Sequence, residues 1–138
     1  MEIDRVVLDA NVFISAIIKK KTDKLLLLPA NYNITIHTCP ELLEEISRNL
    51  KEPQLARYLN QPVEEIVTFI EDITHKVSIE KRFDRALDIN DNYLFDLAYA
   101  VKSHFLVTGD RLVLGMKQVN KIRIISPSAF YQLLGERW

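Results

Sequence analysis

The stretch Phe105–Asp110, read FLVTGD, decides the fold of this chain. Three apolar residues, one of them β-branched, are typical of a short buried strand. Gly109 then permits a tight turn or a close approach of the backbone to a ligand. Thr108 is placed to hydrogen-bond a neighbouring carboxylate and fix its orientation. The stretch therefore predicts a buried strand that delivers Asp110 at its carboxyl end.

The start of the chain repeats this arrangement. Ile3–Leu8 reads as a buried strand that ends at Asp9, and Asn11–Ile18 reads as an amphipathic helix. In a parallel α/β sheet the carboxyl ends of the strands share one edge, where ligands bind. We therefore expect Asp9 and Asp110 to meet at that edge. Asp9 also suits a helix N-cap, but Asn11 can take that part and leave Asp9 free.

Strands and helices alternate along the rest of the sequence. This alternation predicts an α/β fold, a three-layer sandwich whose central parallel sheet of four to five strands is flanked by helices. Without a linker or repeat, residues 1–138 are expected to form a single domain. The other predicted strands are Ile34–His37, Val77–Ile79 and Ile122–Ile125, and the other predicted helices or helical turns are Leu25–Leu28, Pro40–Leu50, Leu55–Leu59, Val63–Ile73, Asp88–Val101, Leu112–Met116 and Pro127–Leu134.

The composition indicates an ordinary globular protein. Of 138 residues, 48% are hydrophobic and 27% charged, and the net charge is −1, so affinity for nucleic acid would have to come from a local patch. The single cysteine, Cys39, cannot form an internal disulfide, which favours a reducing compartment. No secretory signal is visible, and no apolar run approaches the about 20 residues of a membrane span. We therefore expect a cytoplasmic protein that does not associate with membranes.

A third acid is expected on the helix that follows Pro40. Glu41 in the first turn suits the helix dipole, and most glutamates on a helix surface are simply solvated. Glu45 lies beside the apolar stripe, three residues after Leu42, so it can point along the rim of the core toward the sheet edge. Spacing alone does not exclude Glu44.

A fourth acid is expected near the start of the predicted helix Asp88–Val101. Asp88 and Asp91 have nearly the spacing of a capping box, so one interpretation is that these acids only stabilise the start of the helix. The alternative is that this helix end holds Asp91 beside a cation. Asp96 is a secondary candidate, because an acid among apolar helical residues needs a partner or a cation.

Carboxylates gathered at one edge repel one another unless a positive charge neutralises them. Oxygen ligands of this kind suit Mg²⁺ or Mn²⁺, so the residues point to a metal-dependent phosphodiesterase. Asn11 and Thr108 would orient the carboxylates, and Ser15 lies one helical turn after Asn11. The basic residues nearest to these acids in sequence are candidates for RNA binding. A run of lysines is, however, more often a solvated loop. The candidates are Lys19, Lys20, Lys21, Lys24 and Arg111.

Four segments in this order resemble the motifs of the PIN domain family, which includes VapC-like toxins of prokaryotic toxin–antitoxin systems. Leu106–Asp110 is the most specific match, and the resemblance spans nearly the whole chain. The other three are Val6–Val12, Cys39–Ile46 and Asp88–Ala98.

The resemblance implies a Mg²⁺- or Mn²⁺-dependent endoribonuclease. Its catalytic, metal-ligating acids would be Asp9, Glu45, Asp91 and Asp110, with RNA as substrate and a 5′-phosphate product. It further implies a toxin that pairs with a small antitoxin protein and forms a homodimer.

Two positions depart from the family pattern. Cys39 stands where a serine or threonine commonly caps the helix, and Leu112 stands where a second acid often follows Asp110.

Rival interpretations remain open. One is a catalytically weak PIN-like module that only binds RNA or protein. Another is a structure-specific DNA nuclease, but such proteins carry long insertions that clamp the duplex, and this chain has little room for one. A receiver-type phosphoacceptor domain expects two adjacent acids after the first strand, and Asp9 is followed by Ala10. A haloacid-dehalogenase-like phosphatase expects an aspartate at the position of Asn11.

Trp138 can pack on the core or reach a second subunit.

Overall fold

A computed structural model describes residues 4–81 and 92–138 as a mixed α/β fold built on one sheet. The sheet has six strands in the order β3-β2-β1-β4-β6-β5. All neighbours pair in parallel except β5, which runs antiparallel to β6. The strands are β1 Arg5–Leu8, β2 Thr35–Thr38, β3 His75–Lys76, β4 Phe105–Val107, β5 Gln118–Val119 and β6 Ile122–Ile125.

Helices connect and cover the strands, which confirms the predicted α/β architecture. Val6, Val7 and Leu8 are all fully buried. Because successive strand residues point to opposite faces, both faces of the sheet are covered around β1. The helices are α1 Ala10–Ile18, α2 Thr22–Tyr32, α3 Pro40–Leu50, α4 Pro53–Ala56, α5 Val63–Ile73, α6 Asn92–Ala100, α7 Arg111–Leu114 and α8 Pro127–Leu133.

The strand order reverses between β1 and β4. From β1 the chain adds β2 and then β3 on one side, and it returns to place β4, β6 and β5 on the other. At such a switch point the connections leave in opposite directions and open a crevice at the carboxyl edge. Leu8 pairs with Val107 in register, so the residues that follow these two strands are neighbours at that crevice.

The structure corrects the predicted sheet in two places. The antiparallel strand β5 was not predicted, because two residues cannot carry a periodic pattern. The third strand is His75–Lys76 rather than Val77–Ile79. Pairing with β2 fixes this register, since His37 faces His75 and Thr38 faces Lys76.

Several helix bounds also differ from the prediction. α2 begins at Thr22, three residues before the predicted start at Leu25, and it runs on past Pro29 to Tyr32. α4 and α7 each begin one or two residues earlier than predicted. Of the predicted helix Asp88–Val101, residues 88–91 lie outside the described part of the chain. Within the described residues, no helix is long and apolar enough to cross a membrane.

Candidate functional site

Asp9 and Asp110 follow the two central strands at the switch point. Each is the N-cap residue of the next helix: Asp9 Oδ1 accepts a hydrogen bond from Ala10 N at 2.6 Å, and Asp110 Oδ1 accepts one from Leu112 N at 2.9 Å. Of the two candidate caps, Asp9 and Asn11, Asp9 is therefore the one that caps α1. Capping occupies one oxygen of each carboxylate and fixes the direction in which the acid points.

Thr108 connects the two acids. Its hydroxyl donates to Asp9 Oδ2 at 2.7 Å and accepts from Asp110 N at 3.0 Å. Thr108 is fully buried, and its own backbone N–H bonds to Ile125 O of β6. A rigid part of the sheet thus holds the hydroxyl that orients both carboxylates.

Asn11 holds the same pair of loops from the other side. Its side-chain amide donates to Asp9 Oδ2 at 3.1 Å, and its oxygen accepts from Gly109 N at 2.9 Å. The loop after β1 and the loop after β4 are therefore joined through one side chain. These two hydrogen bonds fix the separation of the two acidic loops.

The Asp9 carboxyl is electrostatically strained. Only 4% of Asp9 is exposed, and burial raises its pKa above the ordinary value. The hydrogen bonds from Thr108 and Ala10 lower the pKa, whereas the charge of Asp110 raises it. A nearby cation would relieve both unfavourable effects, since it favours the charged form of each acid.

Glu45, rather than Glu44, belongs to this site. Glu45 lines the same cavity as Asp9 and Asp110, and its Oε2 accepts a hydrogen bond from Tyr93 Oη at 2.9 Å. Burial, followed by the charge of Glu45, raises the pKa of Tyr93. Glu44 is largely exposed and lies 3.9 Å from Arg48 on its own helix. The structure thus distinguishes two acids that spacing left open.

Asp9, Glu45 and Asp110 open into one cavity of about 470 Å³, which Glu52 also lines. Ser15 and Lys19 of the α1 region also line it, so a hydroxyl and a cation face the same space as the carboxylates. A second cavity, of about 530 Å³, shares Asn11, Ser15 and Asp110 with the first. Asp110 therefore lies where the two cavities adjoin, whereas Asp9 and Glu45 line the first one.

The described acids do not complete a metal centre by themselves. Among residues 4–81 and 92–138, no group of three His, Cys, Asp or Glu side chains is arranged to hold a metal ion. Asp91, the fourth predicted ligand, lies outside these residues. The donors that are present still suit a hard cation, because they are carboxylate oxygens and the most buried of them is destabilised in its charged form.

Asp96 does not line the acidic cavity. It is 5% exposed on α6 and lines a separate cavity with Ser78, Glu80 and Tyr99. Its expected supporting part at the carboxylates therefore finds no support in the placement of its side chain.

The candidate RNA-binding cations separate into different surroundings. Lys19 lines the acidic cavity, whereas Lys20 lines another one beside Tyr58. The Lys21 amino group lies 3.0 Å from the backbone oxygen of Trp138 and 5.1 Å from its ring centroid.

The other two candidates are farther along the chain. Lys24 accepts a hydrogen bond from Tyr131 Oη through its backbone oxygen, and Arg111 is exposed on α7. Of the five cations, Lys19 is the one that the structure places in the acidic cavity.

The sequence patterns did not indicate four polar side chains near the acids. Tyr93 bonds to Glu45, and Asn49, Glu52 and Gln54 line the acidic cavity. A signal existed for Asn49, which follows Glu45 by four residues and so shares its helix face. Tyr93 and Gln54 reach the site only through tertiary packing, and no local pattern marks them.

The departures from the family pattern are structurally mild. Cys39 is the N-cap of α3, and its thiol is fully buried, which raises its pKa to about 11. Leu112 is exposed, and its backbone N–H supports Asp110. Trp138 packs on Tyr131 with ring centroids 5.1 Å apart and lies against the core of its own chain.

Comparison with known proteins agrees with this architecture. A family model described as a PIN domain matches residues 5–112. An uncharacterized protein of Methanocaldococcus jannaschii is 31% identical over 121 residues, which cover 85% of this chain and 77% of that protein. A chain of the crystal structure of VapBC2 from Rickettsia felis, bound to a DNA fragment from their promoter, superposes with a TM-score of 0.60. That match covers 88% of this chain and 98% of the other at 16% identity, so it shows a shared fold.

We expect Thr108→Val to destabilise the protein, because the variant removes the donor to buried Asp9 and leaves Asp110 N without its acceptor. The loss should be about 1–3 kcal/mol of unfolding free energy at neutral pH, measured by urea denaturation in the presence of EDTA. Thr108→Ser keeps the hydroxyl and should recover most of the difference. A valine variant as stable as wild type would show that the Thr108 bridge contributes little.

Proposed function

Because the chain belongs to the PIN domain family, we propose that it is a metal-dependent ribonuclease that hydrolyses phosphodiester bonds in RNA. One observation carries the proposal: Asp9, Glu45 and Asp110 face a single cavity at the switch point of the sheet. Carboxylates concentrated in this way suit a divalent cation, which would supply positive charge for chemistry on a phosphate.

The residues that would hold Mg²⁺ or Mn²⁺ are Asp9, Glu45, Asp110 and Asp91. Asp91 is included because the segment Asp88–Ala98 resembles the third motif of the family. When bound, the cation supplies positive charge that polarises the phosphate and lowers the pKa of water.

The protein side chains position the reacting groups. Thr108 and Asn11 hold Asp9 in one orientation, and Thr108 also fixes the backbone of Asp110. Ser15 lines both cavities and offers a hydroxyl to a phosphate oxygen there. Lys19 offsets part of the negative charge at the mouth of the site and attracts the RNA backbone.

The proposed biological role is that of a cytoplasmic toxin held inactive by a small antitoxin protein, with the toxin itself a homodimer. The structural relative is named as part of the VapBC2 complex, which supports a partner protein of this kind. The alternative of a module that only recruits RNA or protein predicts metal binding without cleavage, so the same assays separate the two.

We expect Glu45→Gln and Asp110→Asn to cut single-stranded RNA at least about 100-fold more slowly than wild type with Mg²⁺ or Mn²⁺, since each removes a charged ligand. Asparagine caps a helix about as well as aspartate, so Asp110→Asn should keep α7 intact. Initial rates on a fluorescent oligonucleotide measure the effect, and EDTA should abolish cleavage by wild type.

Glu44→Gln is the matched control for Glu45→Gln, because it makes the same chemical change one residue away on the solvent side of α3. It should cleave at the wild-type rate. Wild-type rates in both Glu45→Gln and Asp110→Asn would sink the proposed nuclease centre.

We expect Lys19→Ala to weaken RNA binding by removing one phosphate contact. The slope of log Kd against log salt should fall by about 0.7, the value for one contact to a single strand. Fluorescence anisotropy in EDTA measures binding without cleavage. Lys121→Ala is the control, because Lys121 precedes β6 and so lies at the opposite edge of the sheet. Equal slopes for the two variants would remove Lys19 from the RNA path.

A further inference from the structure

We propose that the acidic cavity contains a subsite for one unstacked base of single-stranded RNA, read by the side-chain amides of Asn49 and Gln54. The inference rests on the proposed nuclease function and adds to that function the form of RNA that is bound and the residues that select the cleavage position.

The cavity extends beyond the carboxylates along an apolar wall. Ile14 and Ile18 of α1 face Leu55 of α4 across it, and all three side chains are half-buried. A cavity of about 470 Å³ is within the size range of small-ligand sites, which are mostly apolar with a few polar groups that fix orientation. A flat base with apolar faces and a polar edge matches such walls, whereas a hydrated phosphate does not.

Between positions 49 and 55, the polar side chains that line the cavity are the carboxamides of Asn49 and Gln54 and the carboxylate of Glu52. Within the described residues, neither Asn49 nor Gln54 forms a side-chain hydrogen bond to another part of the protein. Each amide carries both donors and an acceptor, which is the combination that pairs with a base edge. In single-stranded RNA the Watson–Crick edges are free, and specific recognition reads them with side chains of this kind.

The position of Asn49 relates the subsite to the scissile bond. Asn49 follows Glu45 by four residues on α3, so the amide and the carboxylate are neighbours on one helix face, with Cβ atoms about 6 Å apart. A phosphodiester held at the acids would therefore present an adjacent base to the amide. This spacing suits recognition of a nucleotide next to the cleaved bond.

The second cavity is the weaker candidate for base recognition. It shares Asn11, Ser15 and Asp110 with the first, which gives an RNA strand room on both sides of Asp110. Its aromatic side chain, Trp138, is already packed against Tyr131 and Lys21. We therefore assign the base reading to Asn49 and Gln54 and leave the second cavity to the continuing backbone.

The test is a cleavage-site profile. Wild type, Asn49→Ala, Gln54→Ala and the double variant are given a pool of unstructured oligonucleotides with a randomised centre and Mg²⁺, and the product ends are sequenced. At one position beside the cut, the double variant should lose about tenfold or more of the wild-type base discrimination.

Asn60→Ala and Gln61→Ala are matched controls. They remove the same two amide types from exposed positions that line a different cavity. Their profiles should coincide with that of wild type. A double variant at positions 49 and 54 with an unchanged profile would overturn the subsite and leave the nuclease proposal standing.

A binding assay makes the test independent of cleavage. In EDTA, the ratio of Kd values among oligoadenylate, oligocytidylate and oligouridylate should narrow in the Asn49→Ala, Gln54→Ala double variant. If wild type failed to cut any RNA, the nuclease proposal would fail, and this ratio alone would decide the subsite. Equal ratios of Kd values in wild type and the double variant would overturn the proposed base subsite.

Discussion

The buried carboxylate of Asp9 is the constraint on which the site depends. Burial disfavours its charge, and the charge of Asp110 adds to the cost, yet three donors from Ala10, Asn11 and Thr108 converge on it. Such a network keeps the acid in place without removing the excess negative charge. A bound cation would lower the electrostatic cost that this arrangement leaves.

The topology of the sheet explains why these groups meet. β1 and β4 are neighbours in parallel register, and the chain leaves them in opposite directions. Two acids separated by about a hundred positions in sequence thereby occupy adjacent loops. Thr108 and Asn11 then join the loops, so a side chain after one strand orients the acid after the other. Glu45 reaches the same space from α3, with Tyr93 of α6 fixing its carboxylate.

Sequence patterns predicted the parts of this site that local chemistry specifies. Asp9 and Asp110 directly follow apolar runs that form buried parallel strands, so both acids lie at the carboxyl edge of the sheet. The choice between Glu44 and Glu45 could not be made from spacing, because it depends on which side of α3 faces α1. Asp96 shows the converse, since its apolar neighbours indicated burial but not the cavity that it lines. Asp91 remains a prediction from sequence alone.

Binding of Mn²⁺ to the purified protein, followed by the paramagnetic resonance signal of the free ion, tests the central claim most directly. The account predicts saturable binding that Mg²⁺ displaces and that a folded Glu45→Gln, Asp110→Asn double variant has lost. Wild-type protein that leaves the free Mn²⁺ signal unchanged, or a double variant that binds as well as wild type, would contradict the account.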